Sequence, residues 1–512
     1  MAIVGNDAGY DMAPETTPAV VNAAVASLPF QIPTGPFAPS WESLRQNYTV
    51  PAWFVGAKFG LMLHWGVYAV PAHHNEWYEK HLYGNAAIRD WHIGKFGPLD
   101  RFGYKDFIPR FTAENFDADQ WAELFQRAGA KFVIPTAQHH DNFALWDSRV
   151  TRYNAMAMGP RLDLIGDLAK AVRARGLKVG VSNHGIENFT FINPSADVLA
   201  DLKKKQADLF DPEWTDFYHV ADRSDAALQR FLRDWFARNV ELIEQYRPDL
   251  LWFDNGIDIR YLDPLKLHLA AYYYNRAKEW GQAVSISSKK AAFAPGGLND
   301  GQIGSIVDFE KVGARSPPGI RPGVWEVDDA IGSTWGYTDG MTIASAATIL
   351  GRLIDTVSKN GTYLLNLSPR ADGTIPTEQQ EVLREIGRWL EVNGEAIYGT
   401  HHWTTFGAGG AGGDTGPGVR YTVKGDVLYA LLLGPYPFGE VNLVALAANP
   451  ALVGKITGIS LLGSQEKLKY NRTTFGLQVT LPPIPVSNYA HALKITGLKM
   501  NPPAETRDGN PR

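Results

Sequence analysis

The chain of 512 residues contains no cysteine. A disulfide scaffold, a thiol nucleophile and any Cys-ligated zinc or iron–sulfur site are therefore excluded. Positive charge is not in excess either: 49 Lys and Arg stand against 54 Asp and Glu, a net charge of −5. A protein that holds nucleic acid through phosphate contacts would need the opposite balance, so no nucleic-acid partner is expected. No apolar run reaches the ~18 residues of a membrane-spanning helix, and no membrane association is expected. The N-terminus lacks a basic stretch followed by an apolar core, so no intact signal peptide is visible. Compartment stays open, with a periplasmic or secreted location favoured if a leader has been removed. The first residues, MAIVGNDAGYDMAPETTPAVV, read as a short flexible lead. What is abundant is aromatic: 15 Trp, 21 Tyr and 24 Phe, 12% of the chain. Flat aromatic faces stack on sugar rings, although any single one is more often a core residue.

From Pro51 onward, short apolar runs alternate with amphipathic helical segments. The runs are KFGLMLHWG (58–66), KFVIPTA (131–137), LKVGVSN (177–183), DLLWFDNG (249–256), AVSISS (283–288), SIVDFE (305–310) and TYLLNL (362–367). Helical periodicity lies between them, at 117–129, 163–176, 227–247, 264–280 and 341–358, with a last helix at 377–394. Continuous apolar strands separated by helices predict a parallel sheet covered on both faces. The repeat fits a (β/α)8-like barrel, and no GxGxxG follows the first strand to favour a dinucleotide fold. After residue 400 the texture changes to short alternating runs, VRYTVKGD, VLYALLLG, KITGISLLG, LKYNRTTFGLQVTLP and HALKITGL, which read as an antiparallel β-sandwich. The expected division is an N-terminal extension over 1–50, a catalytic barrel over 51–399 and a C-terminal β-sandwich domain over 400–512. The Gly-rich stretch 407–418 reads as a flexible loop, and the polar segment 200–222 as a solvated insertion.

In a barrel of this kind, polar residues at the C-terminal ends of the strands line the active site. Here those ends carry His64, then Gln138 to Asp141 with His139 and His140, then Asn183, His184 and Glu187, then Trp252 and Asp254. They continue with Ser288, Lys289 and Lys290, then Asp308 and Glu310, and just beyond with Trp325 and Glu326. Asp254 directly follows the apolar run Leu250–Phe253, which places its carboxylate at the edge of a dry barrel. Two carboxylates plus aromatics on one barrel mouth suggest glycoside hydrolysis, one carboxylate ionised and one protonated. Two other readings of the same residues stay open. His64, His139, His140 and Asp254 could ligate a metal in a hydrolase, although adjacent His139 and His140 should point to opposite faces if the strand continues. A non-catalytic sugar-binding protein would keep the aromatics and reduce the carboxylates to hydrogen-bonding groups.

The segments WFVGAKFGLMLHWGVYAVPAHHNEWYEKHLYG (53–84), DQWAELFQRAGAKFVIPTAQHHDNFALW (119–146), DLLWFDNG (249–256) and STWGY (333–337) resemble the α-L-fucosidases of glycoside hydrolase family 29. The resemblance runs in order over residues 40–400, and more weakly beyond. It implies an exo-acting, retaining hydrolase of fucosylated oligosaccharides or glycoconjugates, with no metal and no organic cofactor. The nucleophile it implies is Asp254. Carried over motif by motif, the fucose-binding residues are His64, Glu76 and Trp77, His139 and His140, and Trp252. For the acid/base, SIVDFEKV resembles a D-x-E-R-G form, with Lys311-Val312 replacing Arg-Gly, and points to Glu310. The alternative, Glu326 of VWEVDD, otherwise joins the substrate-binding set with Lys290.

Overall fold

The computed structural model describes residues 17–296, 303–409, 418–448 and 454–500. Eight parallel strands close into a barrel in sequence order. They are β1 (Phe59–Leu63), β2 (Phe132–Gln138), β3 (Lys178–Asn183), β4 (Leu250–Phe253), β5 (Ser285–Lys289), β6 (Ile306–Glu310), β7 (Trp325–Ala330) and β8 (Gly361–Leu367). β8 returns to β1 with Leu365 opposite Leu61, which closes the sheet. Every residue of β1, β2, β4 and β8 is buried, because helices cover the outer face and side chains fill the inside.

The strand absent from the sequence reading is β7. Its sequence, WEVDDA, places three acids in six residues and does not read as apolar. All six residues are nonetheless buried, because the acids are paired within the fold rather than solvated. Among the described residues no α-helix separates β5 from β6 or β6 from β7. Elsewhere the helices form as the periodicity predicts. The helix Asp225–Tyr246 is capped by the Ser224 hydroxyl, buries Leu228, Phe231, Leu232, Trp235 and Phe236, and stops at left-handed Arg247 before Pro248.

Two readings need correction. The N-terminal lead is not all loose: Thr17–Ala26 is a helix whose Val20, Val21 and Ala24 are buried against the helices Asp225–Tyr246 and Asp263–Trp280. Residues 200–222 are not a solvated insertion. Leu202, Leu209, Phe217 and Tyr218 are buried there, and Asp208 accepts hydrogen bonds from the hydroxyls of Tyr83, at 2.8 Å, and Tyr218. Polar composition misled because the polar groups bond one another inside.

Beyond the helix Thr377–Asn393 the chain enters an all-β region. One sheet has the order β13 (Gly454–Leu461), β16 (His491–Leu498), β11 (Val427–Leu433), β10 (Gly418–Lys424), β9 (His401–Gly409). A smaller sheet has the order β12 (Glu440–Leu443), β15 (Gly476–Thr480), β14 (Lys469–Thr473). β11 faces two ways. Leu428, Ala430 and Leu432 pack into the core of the β-region, while Tyr429, Leu431 and Leu433 pack into the core of the barrel. The period of two thus serves two cores. A buried ion pair fastens the same seam: Arg420 Nε lies 2.6 Å from Asp355 Oδ1 on the helix Ala346–Ser358. Residues 410–417 of the Gly-rich loop lie outside the described residues. No described helix is long and apolar enough to cross a membrane.

Candidate active site

The C-terminal ends of β1 to β4 bring four histidines and one aspartate together. β4 ends at Phe253 and leaves Asp254 just ahead of a turn, where its side chain keeps 16% of its exposure. His184, just past β3, approaches Asp254 Oδ2 with Nδ1 at 3.2 Å, and His140 Nε2 lies 3.4 Å from the same oxygen. Burial alone would raise the Asp254 pKa. The hydrogen bonds and charge of His140 and His184 outweigh it and hold the carboxyl well below the usual carboxylate range. His140 is itself raised above an ordinary histidine. Burial opposes its charge, but Glu187 Oε2 sits 3.2 Å from Nδ1 and Asp254 faces the other nitrogen. His184 was legible only as a polar strand end, and its contact with Asp254 makes it a central member of the site.

His139 and His140 do not diverge as strand alternation predicts. β2 stops at Gln138, and both rings turn into the site with centroids 4.5 Å apart. His139 also lies 5.5 Å from His64 and 4.8 Å from His184, ring to ring. Burial and the neighbouring imidazoles keep His64, His139 and His184 below the ordinary histidine value, His64 down to about 3. One nitrogen from each of these three rings falls within 4.8 Å of the others, and so do His140, His184 and Asp254, so either group could hold a cation.

A loop from beyond β7 closes one side. Glu76 is buried, and its Oε2 accepts hydrogen bonds from the backbone N–H groups of Trp335 at 3.2 Å and Gly336 at 3.1 Å. A side chain at Gly336 would meet Tyr68 at 2.7 Å and Glu76 at 3.0 Å, so the loop can approach only as glycine. Asn366 on β8 completes the clamp. Its Oδ1 accepts from the His64 backbone N–H at 2.9 Å and lies 2.7 Å from His64 Nδ1, and its Nδ2 donates to Trp335 O at 2.8 Å. Trp335 then faces His64 at 5.3 Å. Asn366 carried no signal in the sequence, since one Asn in an apolar strand looks like any other. Trp77 stands edge-on to His140 at 5.7 Å, and Trp252 lies 5.2 Å from His184.

Across the mouth, β5 to β7 carry a second charged group. Lys289 Nζ lies 2.8 Å from Asp308 Oδ1, contacts Asp328, and sits 5.3 Å over the Trp252 ring. Glu326 is fully buried one register step away, with Ser287 Oγ donating to its Oε2 at 2.7 Å. Burial pushes Glu326 up to about 8 against the opposing Ser287 bond. Glu310 shares the inward face of β6 with Asp308, two residues on and nearer the mouth. It is partly exposed and accepts from Arg315 at 3.0 Å. Lys289 feels the charge of both Glu310 and Asp254, so both carboxylates lie within electrostatic reach of its ammonium. Lys290 turns the other way: its side chain is 55% exposed and lies 3.8 Å from Asp258.

The chain matches the family model described as alpha-L-fucosidase over residues 26–395, and that of the alpha-L-fucosidase C-terminal domain over 414–496. It is 32% identical to the tissue alpha-L-fucosidase of Bos taurus over 483 residues, 90% of this chain and 92% of that one. It is 31% identical to the plasma alpha-L-fucosidase of Homo sapiens over 462 residues, 88% of this chain and 89% of that one. Among solved structures, the Thermotoga maritima alpha-fucosidase in complex with fucose superposes with a TM-score of 0.70 at 31% identity, covering 90% of this chain and 99% of that one. The same enzyme with a mechanism-based inhibitor gives 0.70 at 30% identity, covering 90% and 100%.

Proposed function

The chain belongs to the alpha-L-fucosidase family of glycoside hydrolases, and from that premise we propose that it removes terminal α-L-fucosyl residues from glycans or glycoconjugates by double displacement with retention of configuration. The observation that carries this reading is the state of Asp254. An anion shielded by the barrel, fed by two imidazoles and kept ionised, is what a nucleophile toward an anomeric carbon requires. In the first step Asp254 attacks the anomeric carbon while Glu310 protonates the departing oxygen. In the second, Glu310 takes a proton from water, which releases fucose from the ester. Glu310 suits that exchange because it keeps contact with solvent at the mouth.

His64, His139 and His140 bond the sugar hydroxyls, and Trp77 and Trp252 flank the ring. Glu76 acts at least partly through the Trp335–Gly336 loop that it holds. Glu326 belongs to the pocket floor and Lys290 to its outer rim. We place the catalytic domain at 51–399 and the second domain at 400–512, divided between the end of Thr377–Asn393 and the start of β9. The test is stereochemical. Proton NMR of an aryl α-L-fucoside digest is expected to show α-L-fucose as the first product, before mutarotation; β-L-fucose first would end the double-displacement reading.

A further inference from the structure

We propose that His64, His139 and His184 form a binding site for an imidazole-seeking divalent cation of the Zn2+ class, and that its occupancy closes the sugar pocket. The closing half rests on the function proposed above; the binding half does not. Three observations converge. First, the donor atoms are within 4.8 Å of one another. Tetrahedral zinc with Zn–N bonds of about 2.0–2.1 Å needs nitrogens about 3.3 Å apart, so the rings must close by no more than about 1.5 Å.

Second, ring nitrogens of His64 and His139 stand without a protein hydrogen-bond partner of their own. Asn366 Oδ1 already accepts from the His64 backbone N–H, so it faces His64 Nδ1 as an acceptor; Nδ1 carries the proton and Nε2 the lone pair. His184 Nδ1 faces the Asp254 carboxylate, and its Nε2 lies 3.2 Å from the Ser182 hydroxyl, a contact that a metal would have to displace. Nδ1 of buried His139 has no hydrogen-bond partner. Third, the outer groups are those that orient a metal-bound imidazole: an amide oxygen behind His64 and a carboxylate behind His184.

The second convergent group, His140, His184 and Asp254, is less suited, because His140 is already taken up between two carboxylates, Glu187 at 3.2 Å and Asp254 at 3.4 Å. Lys289 is the cation whose charge His184 feels, and Asp254 is the anion that offsets it. A fucose hydroxyl and a metal ion would thus compete at His64 and His139.

The full-length protein, stripped with EDTA and dialysed, is titrated with ZnCl2 by calorimetry. One saturable site is expected, weakened by at least about tenfold in His184→Ala and in His139→Ala, the least that losing even an outer supporting group costs a metal site. Co2+ in the unaltered protein is expected to give the visible band of tetrahedral nitrogen coordination, a readout that needs no variant. In turnover of an aryl α-L-fucoside, Zn2+ should raise KM, leave kcat unchanged, and be reversed by EDTA. Absence of a saturable site, equal binding in both variants, a fall in kcat at constant KM, or activity lost to EDTA and restored by Zn2+ would each overturn the proposal. Zn2+ binding through the three histidines in a protein that never hydrolyses the fucoside, with or without metal, would retain the site and end the fucosidase reading instead.

Discussion

Two groups of buried charge share this barrel and end in opposite states. At the ends of β1 to β4, Asp254 faces His140 and His184 and is held ionised. Across β5 to β7, Asp308, Glu326 and Asp328 share a single ammonium, that of Lys289. There the carboxyls rise, Asp308 to about 6 and Glu326 to about 8. Burial penalises the charged form in both places, so burial is not what separates them. The ratio of donors to carboxylates is. Where N–H groups outnumber carboxylates the anion survives; where carboxylates outnumber cations, protons stay bound.

Removing Asp254 breaks the contrast most severely. Asp254→Ala is expected to lower turnover of an aryl α-L-fucoside by on the order of 10^4-fold or more while circular dichroism stays native. Normal activity would move the nucleophile elsewhere. Next comes Glu310→Ala, expected to lose about 10^2- to 10^4-fold and to recover with azide, which takes the place of water on the ester and gives α-L-fucosyl azide. Azide rescue of Glu326→Ala instead would transfer the acid/base to the floor group.

Lys289→Met tests the floor directly, because it strips Asp308 and Asp328 of their cation. Leaving one side of a buried ion pair unpaired costs about 3–5 kcal/mol, read as a lower urea midpoint. The pH dependence sharpens the sign. Glu326 binds a proton more tightly folded than unfolded, so its contribution is complete below the unfolded value of about 4.3 and is lost as pH rises through about 8. Glu326→Gln should therefore flatten the fall in Tm between pH 5 and pH 8, approximate endpoints that bracket this window; an unchanged slope would remove Glu326 as its source. The smallest effect is expected at Lys290. Its half-exposed contact with Asp258 is of the kind that contributes about 0–1 kcal/mol, so Lys290→Met should change kcat/KM by only a few-fold. A large loss would bring Lys290 from the rim into the sugar pocket.

Much of the architecture was written in one-dimensional pattern. Seven of the eight barrel strands are apolar runs covered on both faces, and their helices announce themselves by period and caps. β7 escaped because its acids look solvent-facing until Lys289 and Arg352 are brought to them from β5 and from the helix Ala346–Ser358. Residue types at strand ends sufficed to nominate Asp254, His64, His139, His140 and Glu310, because a barrel delivers every C-terminal strand end to one face, whereas Glu326 stands second in β7.

Tertiary structure alone decided how those residues are used. That His184 rather than a more distant group meets Asp254, that Asn366 sets the proton on His64, that Glu76 holds a loop some 260 positions away, and that Lys289 faces inward while Lys290 faces out are all facts of approach between segments far apart in the chain. The physical reason is one of range. Hydrophobic period is a local property that survives in the order of residues, whereas a proton's position depends on charges and acceptors within a few ångströms in space, and folding alone brings them there.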